Sequence, residues 1–200
     1  MLRRAALVIV DVQLDFCERG ALGVEGGNAV AERIANHVRR TGDRYDLVVA
    51  TRDWHPEDLS GHFSEAPDMV DSWPAHCVQG STGAAFHPAI ATLIADNMVD
   101  AVLSKGLDGP AYSGFEGSHA GQGLAEMLAE RRINRVEVCG IATSHCVRAT
   151  AIDAYKAGYP TIVLTDLSVG VTDHQAEAAI AEITSLGIEA VDANTPMPRR

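Results

Sequence analysis

Ala5-Ala6-Leu7-Val8-Ile9-Val10-Asp11, close to the start of the chain, is a continuously apolar run that ends in a carboxylate. Val and Ile are prominent in it, which is typical of a strand buried on both faces of a parallel sheet. Further runs of this kind follow at 46–50, 98–103, 135–139, 161–164 and 188–191. Their recurrence predicts a central sheet of about six mostly parallel strands.

Helical patterns separate these runs, at 28–39, 123–132, 145–157 and 172–185. Asn28 and Thr172 stand where N-caps belong, and Gly158 and Gly187 where left-handed C-caps belong. Strands that alternate with helices predict an α/β fold, in which right-handed crossovers place helices on both faces of the sheet. We expect one doubly wound domain over 1–200, with a strand order that the pattern leaves open.

One segment, 53–87, breaks the alternation and is rich in Pro, Gly, Ser, His and Trp. So long a loop in a compact domain is usually functional. Asp53 and His55 lie two residues apart on an extended segment and face the same side, and His62 and His76 follow. Imidazole and carboxylate ligands suit one divalent transition metal ion, Zn²⁺ or Fe²⁺ first and Mn²⁺ as a further candidate. A polar surface loop is the alternative interpretation.

The composition argues against several classes of partner and compartment. A formal net charge of -11 disfavours nucleic acid, whose phosphates bind basic surfaces. No apolar run approaches the length of about 20 residues that a membrane span needs, and the first apolar run is too short for a signal peptide. The four cysteines form no CxxC pair, so a metal knuckle is not expected. We expect a cytoplasmic protein with free thiols and no nucleic-acid or membrane partner.

Reactive side chains follow the ends of four predicted strands. Asp11 comes after the first, Asp53 and His55 end the second, Lys105 ends the third and Cys146 follows the fourth. In open α/β sheets, ligands bind at this carboxyl edge. Each residue alone has a plainer explanation, as a turn cap, a ligand-free polar loop, a surface charge or a packed thiol. Their convergence on one edge favours a functional site.

Cys146 is the expected nucleophile among the cysteines. It lies in the first turn of a predicted helix, where the dipole and a nearby Lys105 should lower the pKa of the thiol. Asp11, within reach of the sulfur, would take its proton and later return it to a leaving amine. Cys139 should point into the packed sheet and stay protonated, and Cys17 and Cys77 lie in loops with no helix behind them.

The sequence resembles the nicotinamidase/pyrazinamidase family within the isochorismatase-like cysteine hydrolases, over nearly the whole chain. The resemblance rests on short motifs in the family's order. They are Asp11-Val12-Gln13-Leu14-Asp15-Phe16, Thr51-Arg52-Asp53-Trp54-His55-Pro56, Gly61-His62-Phe63-Ser64, Ser72-Trp73-Pro74-Ala75-His76-Cys77-Val78, Ser104-Lys105-Gly106, Tyr112-Ser113-Gly114-Phe115 and Gly140-Ile141-Ala142-Thr143-Ser144-His145-Cys146.

The resemblance implies a role for each matching position. Asp11 would be the base and acid, Lys105 the electrostatic partner and Cys146 the nucleophile. A cis peptide would join Ile141 to Ala142, and the backbone N–H groups of Ala142 and Cys146 would form the oxyanion hole. The remaining implied site residues are the metal ligands Asp53, His55, His76 and His62, and the pocket residues Phe16, Trp73, Tyr112, Ile141 and His145.

The implied reaction is hydrolysis of nicotinamide to nicotinate and ammonia, and of pyrazinamide to pyrazinoate, through a thioester on Cys146. The substrate is a small molecule, and the protein a monomer or homo-oligomer. One rival is a sister amidase that acts on an N-carbamoyl or ureido compound, although it would not need the metal loop. A non-catalytic binding module is another. A dinucleotide-dependent oxidoreductase is disfavoured because Asp11-Val12-Gln13 replaces the glycine-rich phosphate turn.

Overall fold

A computed structural model describes residues 4–57, 63–69 and 72–195. Its strands are β1 (Ala5–Val10), β2 (Leu47–Asp53), β3 (Ala101–Lys105), β4 (Ser118–His119), β5 (Gln122–Gly123), β6 (Arg135–Ile141), β7 (Thr161–Val169) and β8 (Glu189–Val191). They form one sheet in the order β5-β4-β3-β2-β1-β6-β7-β8. The chain thus winds outward from β1 in both directions, which is the doubly wound architecture that the alternation predicts.

The six predicted strands form the parallel part of the sheet, which in spatial order is β3-β2-β1-β6-β7-β8. The short strands β4 and β5 add an antiparallel edge beside β3 that was not predicted. Each has only two residues, too few to show a period. β7 is longer than expected and its pairing with β6 shifts register between Val138 and Gly140.

In the part of the chain that the structure describes, five α-helices cover the sheet: α1 (Gly27–Thr41), α2 (Pro88–Ala95), α3 (Leu124–Glu130), α4 (Arg148–Lys156) and α5 (Asp173–Ser185). α1 and α2 pack on one face, and α3, α4 and α5 pack on the other, so the prediction of helices on both faces is confirmed. The sequence pattern did not predict α2, which follows the irregular segment. Among the described residues, no helix is long and apolar enough to cross a membrane.

The helix ends differ from prediction at one position. Asn28 is not the N-cap of α1, because the helix begins at Gly27 and its cap is Gly26. The Glu18 carboxylate accepts hydrogen bonds from the backbone N–H groups of Gly26 and Asn28, at 2.9 and 2.7 Å, and so satisfies this helix end from the preceding loop. The Thr172 cap is confirmed, since its side chain accepts from the Gln175 N–H.

β1 is buried along its whole length, as expected of a central strand. Leu7 and Ile9 face the helix pair α1 and α2, whereas Ala6, Val8 and Val10 face the other three helices. Helical turns also follow two strands at the carboxyl edge: a 3-10 turn, Leu14–Phe16, follows β1, and a π-helical turn, Thr143–Val147, leads from β6 into α4. The ends of the central strands therefore open onto turns.

Candidate active site

Four neighbouring strands bring the predicted reactive residues together. Asp11 is the first residue after β1, Asp53 is the last of β2, and Lys105 is the last of β3. Cys146 lies in the π-helical turn after β6, on the other side of β1. Because these strands are parallel and adjacent, their carboxyl ends meet at one place, and the expected convergence is present.

Lys105 lies at the centre of this group. Its Nζ atom is 2.9 Å from Asp11 Oδ2 and 2.5 Å from Asp53 Oδ1. It also donates a hydrogen bond to the carbonyl of Ala111 at 2.9 Å and lies 3.7 Å from Cys146 Sγ. With only 1% of its surface exposed, Lys105 is a buried cation shared by two carboxylates and a thiol.

Burial and charge act in opposite directions on these groups. Burial disfavours the cation, but Asp11 and Asp53 outweigh it and raise the pKa of Lys105 well above its ordinary value. Burial opposes the Asp53 anion, but Lys105 and His55 hold the pKa of that carboxyl below its usual range. For Asp11 burial prevails over Lys105 and over the Thr51 hydroxyl, which donates to Oδ1 at 2.6 Å, so its pKa is raised. Asp11 is therefore the better proton acceptor of the two acids.

The expectation of a lowered thiol pKa at Cys146 is wrong for this structure. Only 7% of Cys146 is exposed, and burial raises the pKa of its thiol well above the ordinary value. Lys105 lowers the pKa, but Asp11 and Asp53 raise it further. The helix-start position therefore does not offset the burial of this thiol beside two acids.

The other three cysteines are also free and buried. As expected, Cys139 is enclosed in the sheet, where burial raises the pKa of its thiol. Burial likewise raises the pKa of Cys17, to about 11, and that of Cys77. Cys146 alone among the four lies within reach of Lys105 and lines the cavity described below.

Three of the four expected metal ligands form a buried cluster. The ligand atoms of Asp53, His55 and His76 all lie within 4.8 Å of one another. Asp53 Oδ2 is 3.7 Å from Nε2 of His55 and 3.9 Å from Nε2 of His76. His62 lies outside the described residues.

The hydrogen bonds of the two rings fit a metal ion. His55 Nδ1 is 3.0 Å from the carbonyl of Gly106, and His76 Nδ1 is 2.9 Å from the carbonyl of Pro74. A carbonyl only accepts, so each Nδ1 carries the proton and each Nε2 presents a lone pair toward Asp53. Two imidazole lone pairs and a carboxylate oxygen are the donor set of a divalent transition metal.

A cavity of about 310 Å³ opens above the reactive group. It is lined by Cys146, by the three clustered ligands, and by every pocket residue that the resemblance implies. Those pocket residues are Phe16, Trp73, Tyr112, Ile141 and His145. Ala142, an implied oxyanion-hole residue, lines the cavity as well. Asp11 and Lys105 do not line the cavity, because they are buried beneath the nucleophile at 0% and 1% exposure.

Three ring side chains from separate segments meet at one side of the cavity. Trp73 Nε1 donates to the Tyr112 hydroxyl at 3.2 Å, and the Trp73 and His145 rings meet edge to face at 5.7 Å.

The Ile141-Ala142 peptide is cis, as the resemblance implies. The roles assigned to these residues stay predictions, although the structure places all of them around one cavity.

Several site residues were missed as functional candidates. Gln13 is fully buried, and its side-chain amide bonds both the N–H and the carbonyl of Asp53, each at 2.8 Å. Thr51 donates to Asp11, and the Phe63 ring packs edge-on against both His55 and His76. All three lie inside the quoted motifs, which was the available signal. The apolar wall residues of the cavity carry no such signal; they are Leu22, Val24, Met69 and Val171.

Comparisons with known proteins agree with this geometry. Residues 5–195 match the family described as Isochorismatase domain. A nicotinamidase/pyrazinamidase of Mycobacterium tuberculosis is 47% identical over 187 residues, covering 93% of this chain and 97% of that protein. A pyrazinamidase of Pyrococcus horikoshii, solved in complex with zinc, is 38% identical with a TM-score of 0.79, covering 94% of this chain and 99% of that one. A protein from L. infantum, solved in complex with nicotinate, is 34% identical with a TM-score of 0.81, covering 98% of this chain and 96% of that one.

Proposed function

The chain belongs to the isochorismatase family, and from that premise we propose that it hydrolyses nicotinamide to nicotinate and ammonia, and pyrazinamide to pyrazinoate. One observation carries the proposal. Cys146, Lys105 and Asp11 meet in one buried group, directly beside the cluster of Asp53, His55 and His76. A thiol nucleophile, a proton carrier and a ring-orienting metal site thus serve the same cavity.

The first half of the reaction forms a thioester. The Cys146 thiol gives its proton to Asp11 as the sulfur attacks the carboxamide carbon. The raised pKa of Asp11 supports this transfer, and the charge of Lys105 stabilises the developing thiolate. The C–N bond then breaks, and ammonia leaves with the proton that Asp11 returns.

The second half restores the enzyme. Water attacks the thioester carbon and gives a proton to Asp11, the C–S bond breaks, and nicotinate is released. Asp11 returns that proton to the Cys146 sulfur, and the new carboxylic acid loses the second proton of the water to solvent and leaves as nicotinate. In both halves the negative oxygen would lie against the backbone N–H groups of Ala142 and Cys146, an arrangement worth about 3 kcal/mol per donor in related acyl-transfer sites. Both residues line the cavity, which supports the assignment.

Ring recognition is assigned to the metal cluster that borders the reactive group. Asp53, His55 and His76 would hold one divalent ion, zinc or iron first, whose Lewis acidity would help to orient the pyridine ring. Phe16 lies beside His76, with ring centroids 5.7 Å apart, and offers an apolar surface to the ring. His62 remains a proposed further ligand.

An ammonia-release assay tests the proposal. Protein loaded with Zn²⁺ should release ammonia from nicotinamide and pyrazinamide without any nucleotide, and strict chelation should weaken nicotinamide binding. Turnover of an N-carbamoyl compound in place of nicotinamide would identify a sister amidase instead. Binding of nicotinamide with no ammonia release would indicate a binding module.

The proposed setting is the cytoplasm, with a small molecule as the partner and the protein acting as a monomer or homo-oligomer. Four free buried thiols support a reducing compartment. The reaction as written requires neither nucleic acid nor a membrane. Fractionation of the native host, followed by the ammonia assay on each fraction, tests the location.

A further inference from the structure

Asp15 lies outside the proposed chemistry, yet its carboxylate joins two parts of the site. It belongs to the 3-10 turn Leu14–Phe16 that follows β1. Oδ2 accepts a hydrogen bond from the backbone N–H of Cys77 at 2.7 Å, and Oδ1 accepts one from the N–H of Ala21 at 3.2 Å. The two oxygens therefore hold two different loops.

The first loop, the segment around His76 and Cys77 that we call the metal-ligand loop, carries one of the three clustered ligands. Cys77 directly follows His76, and its carbonyl accepts a hydrogen bond from the backbone N–H of His55 at 3.0 Å. Cys77 has φ +47°, a left-handed conformation that is unfavourable for a residue other than glycine and needs outside support. Asp15 supplies a carboxylate acceptor to Cys77, and thereby holds the residue that follows His76 in the chain and is bonded to the backbone of His55.

The second loop forms a wall of the cavity. Residues 20–24 all line it, and the backbone carbonyl of Asp15 accepts from the Leu22 N–H at 2.8 Å. Asp15 thus binds this wall through its main chain and its side chain together. Its carboxylate is the direct hydrogen-bonded link between the wall and the metal-ligand loop.

Gly83 packs directly against the remaining side of the Asp15 carboxylate. A Cβ atom at Gly83 would lie 2.1 Å from Asp15 Oδ2, and the backbone N–H of Asp15 is bonded to the carbonyl of Gly83 at 2.9 Å. A side chain at residue 83 would therefore have to displace the carboxylate. The position of Asp15 is determined from three directions.

We propose that Asp15 is a positioning residue that holds the metal-ligand loop and the cavity wall in register. The inference rests on the proposed function, because it assumes that Asp53, His55 and His76 bind a metal. It assigns no contact between Asp15 and substrate. Without its two acceptor oxygens, the ligand geometry and the cavity wall loosen together.

Asp15→Asn is the direct test, because it keeps the volume but turns an NH₂ group toward one of the two backbone donors. Zinc affinity, measured by competition with a chromophoric chelator and so independent of activity, should fall about 10- to 100-fold, as is usual for groups that support metal ligands. KM for nicotinamide should rise, while kcat of the zinc-saturated protein changes less. Circular dichroism melting checks that the variant is folded.

Glu18→Gln is the matched control. Glu18 lies just before the cavity-wall loop in the chain, and its carboxylate accepts hydrogen bonds from the backbone N–H groups of Gly26 and Asn28 at the start of α1. Among the described residues, none of its hydrogen bonds reaches the metal-ligand loop. The substitution should leave zinc affinity at the wild-type value. Gly83→Ala, which displaces Asp15 without changing its chemistry, should weaken zinc binding as Asp15→Asn does, whereas the exposed Thr82→Ala in the same turn should not.

The outcomes separate the inference from the proposed function. Suppose that the wild-type protein binds zinc and hydrolyses nicotinamide. If Asp15→Asn or Gly83→Ala then binds zinc with unchanged affinity, the inference is overturned and the proposed function stands. Equal loss of zinc in Glu18→Gln and Asp15→Asn overturns it as well, because the effect would then be a general loosening. A wild-type protein that neither binds zinc nor releases ammonia removes the proposed function and the inference with it.

Discussion

At the scale of single residues, Lys105 determines the charge balance of the site. One buried cation faces two buried carboxylates, which leaves a net negative charge when all three are ionised. Burying an uncompensated charge is costly, so a divalent ion beside Asp53 would offset the excess. Burial, together with these two acids, holds the pKa of the Cys146 thiol well above its ordinary value in spite of Lys105.

The Thr51 hydroxyl adjusts the pKa of Asp11, the proposed proton carrier. This part of the charge balance can be tested. The hydroxyl donates to Asp11 Oδ1 and lowers the pKa of that carboxyl against the larger effect of burial. Thr51→Val removes the donor, so the pKa of Asp11 should rise. As the pH falls, Asp11 then becomes protonated at a higher pH than in the wild-type protein. The acid limb of kcat/KM for nicotinamide should therefore move to higher pH by about one unit.

Thr51→Ser is the control, because it keeps the hydroxyl and should keep the acid limb where the wild-type protein has it. The pH profile of kcat/KM for all three proteins gives the answer. An unmoved limb in Thr51→Val, or one displaced to lower pH, would contradict the role given to this hydrogen bond.

At the scale of elements, the contact of β1 with β6 places Asp11 against the nucleophile turn. Gly140 adopts φ +125° there, and a Cβ atom on it would lie 2.1 Å from the carbonyl oxygen of Val10. Gly140→Ala should therefore destabilise the protein by about 3 kcal/mol or more and separate the two strand ends. Urea unfolding measures the loss, and the remaining folded protein should have little activity.

Gly158→Ala isolates the steric part of that effect. Gly158, after α4, also has positive φ, at +90°, but no atom lies within 4 Å of its Cβ position. Its substitution should cost only about 1–2 kcal/mol, the usual penalty of a left-handed alanine. Equal losses for the two variants would show that the close approach of β1 and β6 is unimportant.

The sequence was informative wherever burial imposed a pattern. β1 and its parallel neighbours were recognised because strands buried on both faces read as apolar runs. The eight-residue α2 and the two-residue β4 and β5 were missed because short elements carry no period. The π-helical turn could not be foreseen either, since its hydrogen bond from Val147 N–H to the Ala142 carbonyl leaves no mark on composition.

The candidate site was predictable to the same extent. Asp11, Asp53 and Lys105 follow strand ends, and parallel strands deliver their ends to one edge. The pKa of the Cys146 thiol is raised where its place at a helix start predicts a lowered one, because the depth of burial beside two acids is not readable from the sequence. The structural roles of Gln13 and Asp15 depend on hydrogen bonds to backbone distant in sequence, which no local pattern records.

At the scale of the whole molecule, a second buried polar network lies outside the candidate site. The Tyr45 hydroxyl donates to Glu137 Oε2 at 2.7 Å and is 2.9 Å from Nε2 of His37 on α1. Arg135 pairs with the same carboxylate. The network joins α1 to the first half of β6, so we expect it to stabilise the protein without serving the reaction.

Tyr45→Phe should lower the free energy of unfolding by about 1–3 kcal/mol, because a buried carboxylate loses one hydrogen bond. kcat/KM for nicotinamide should stay at the wild-type value in the folded protein. If residues 1–200 form one cooperative domain, as the sequence predicts, urea midpoints followed by circular dichroism and by activity should shift together. Separate midpoints, or a changed kcat/KM, would contradict this division of roles.

The central claim is that the Cys146 sulfur makes the bond to the carboxamide carbon while other residues hold the ring. Cys146→Ala tests it most directly, with nicotinamide binding measured by calorimetry and ammonia release measured beside the wild-type protein. We predict near-wild-type binding and metal content with ammonia release reduced at least about a thousandfold, since Cys146 is the one thiol among the described residues that line the cavity. Ammonia release within about tenfold of the wild-type rate would contradict the account, because nucleophiles removed from such sites cost far more.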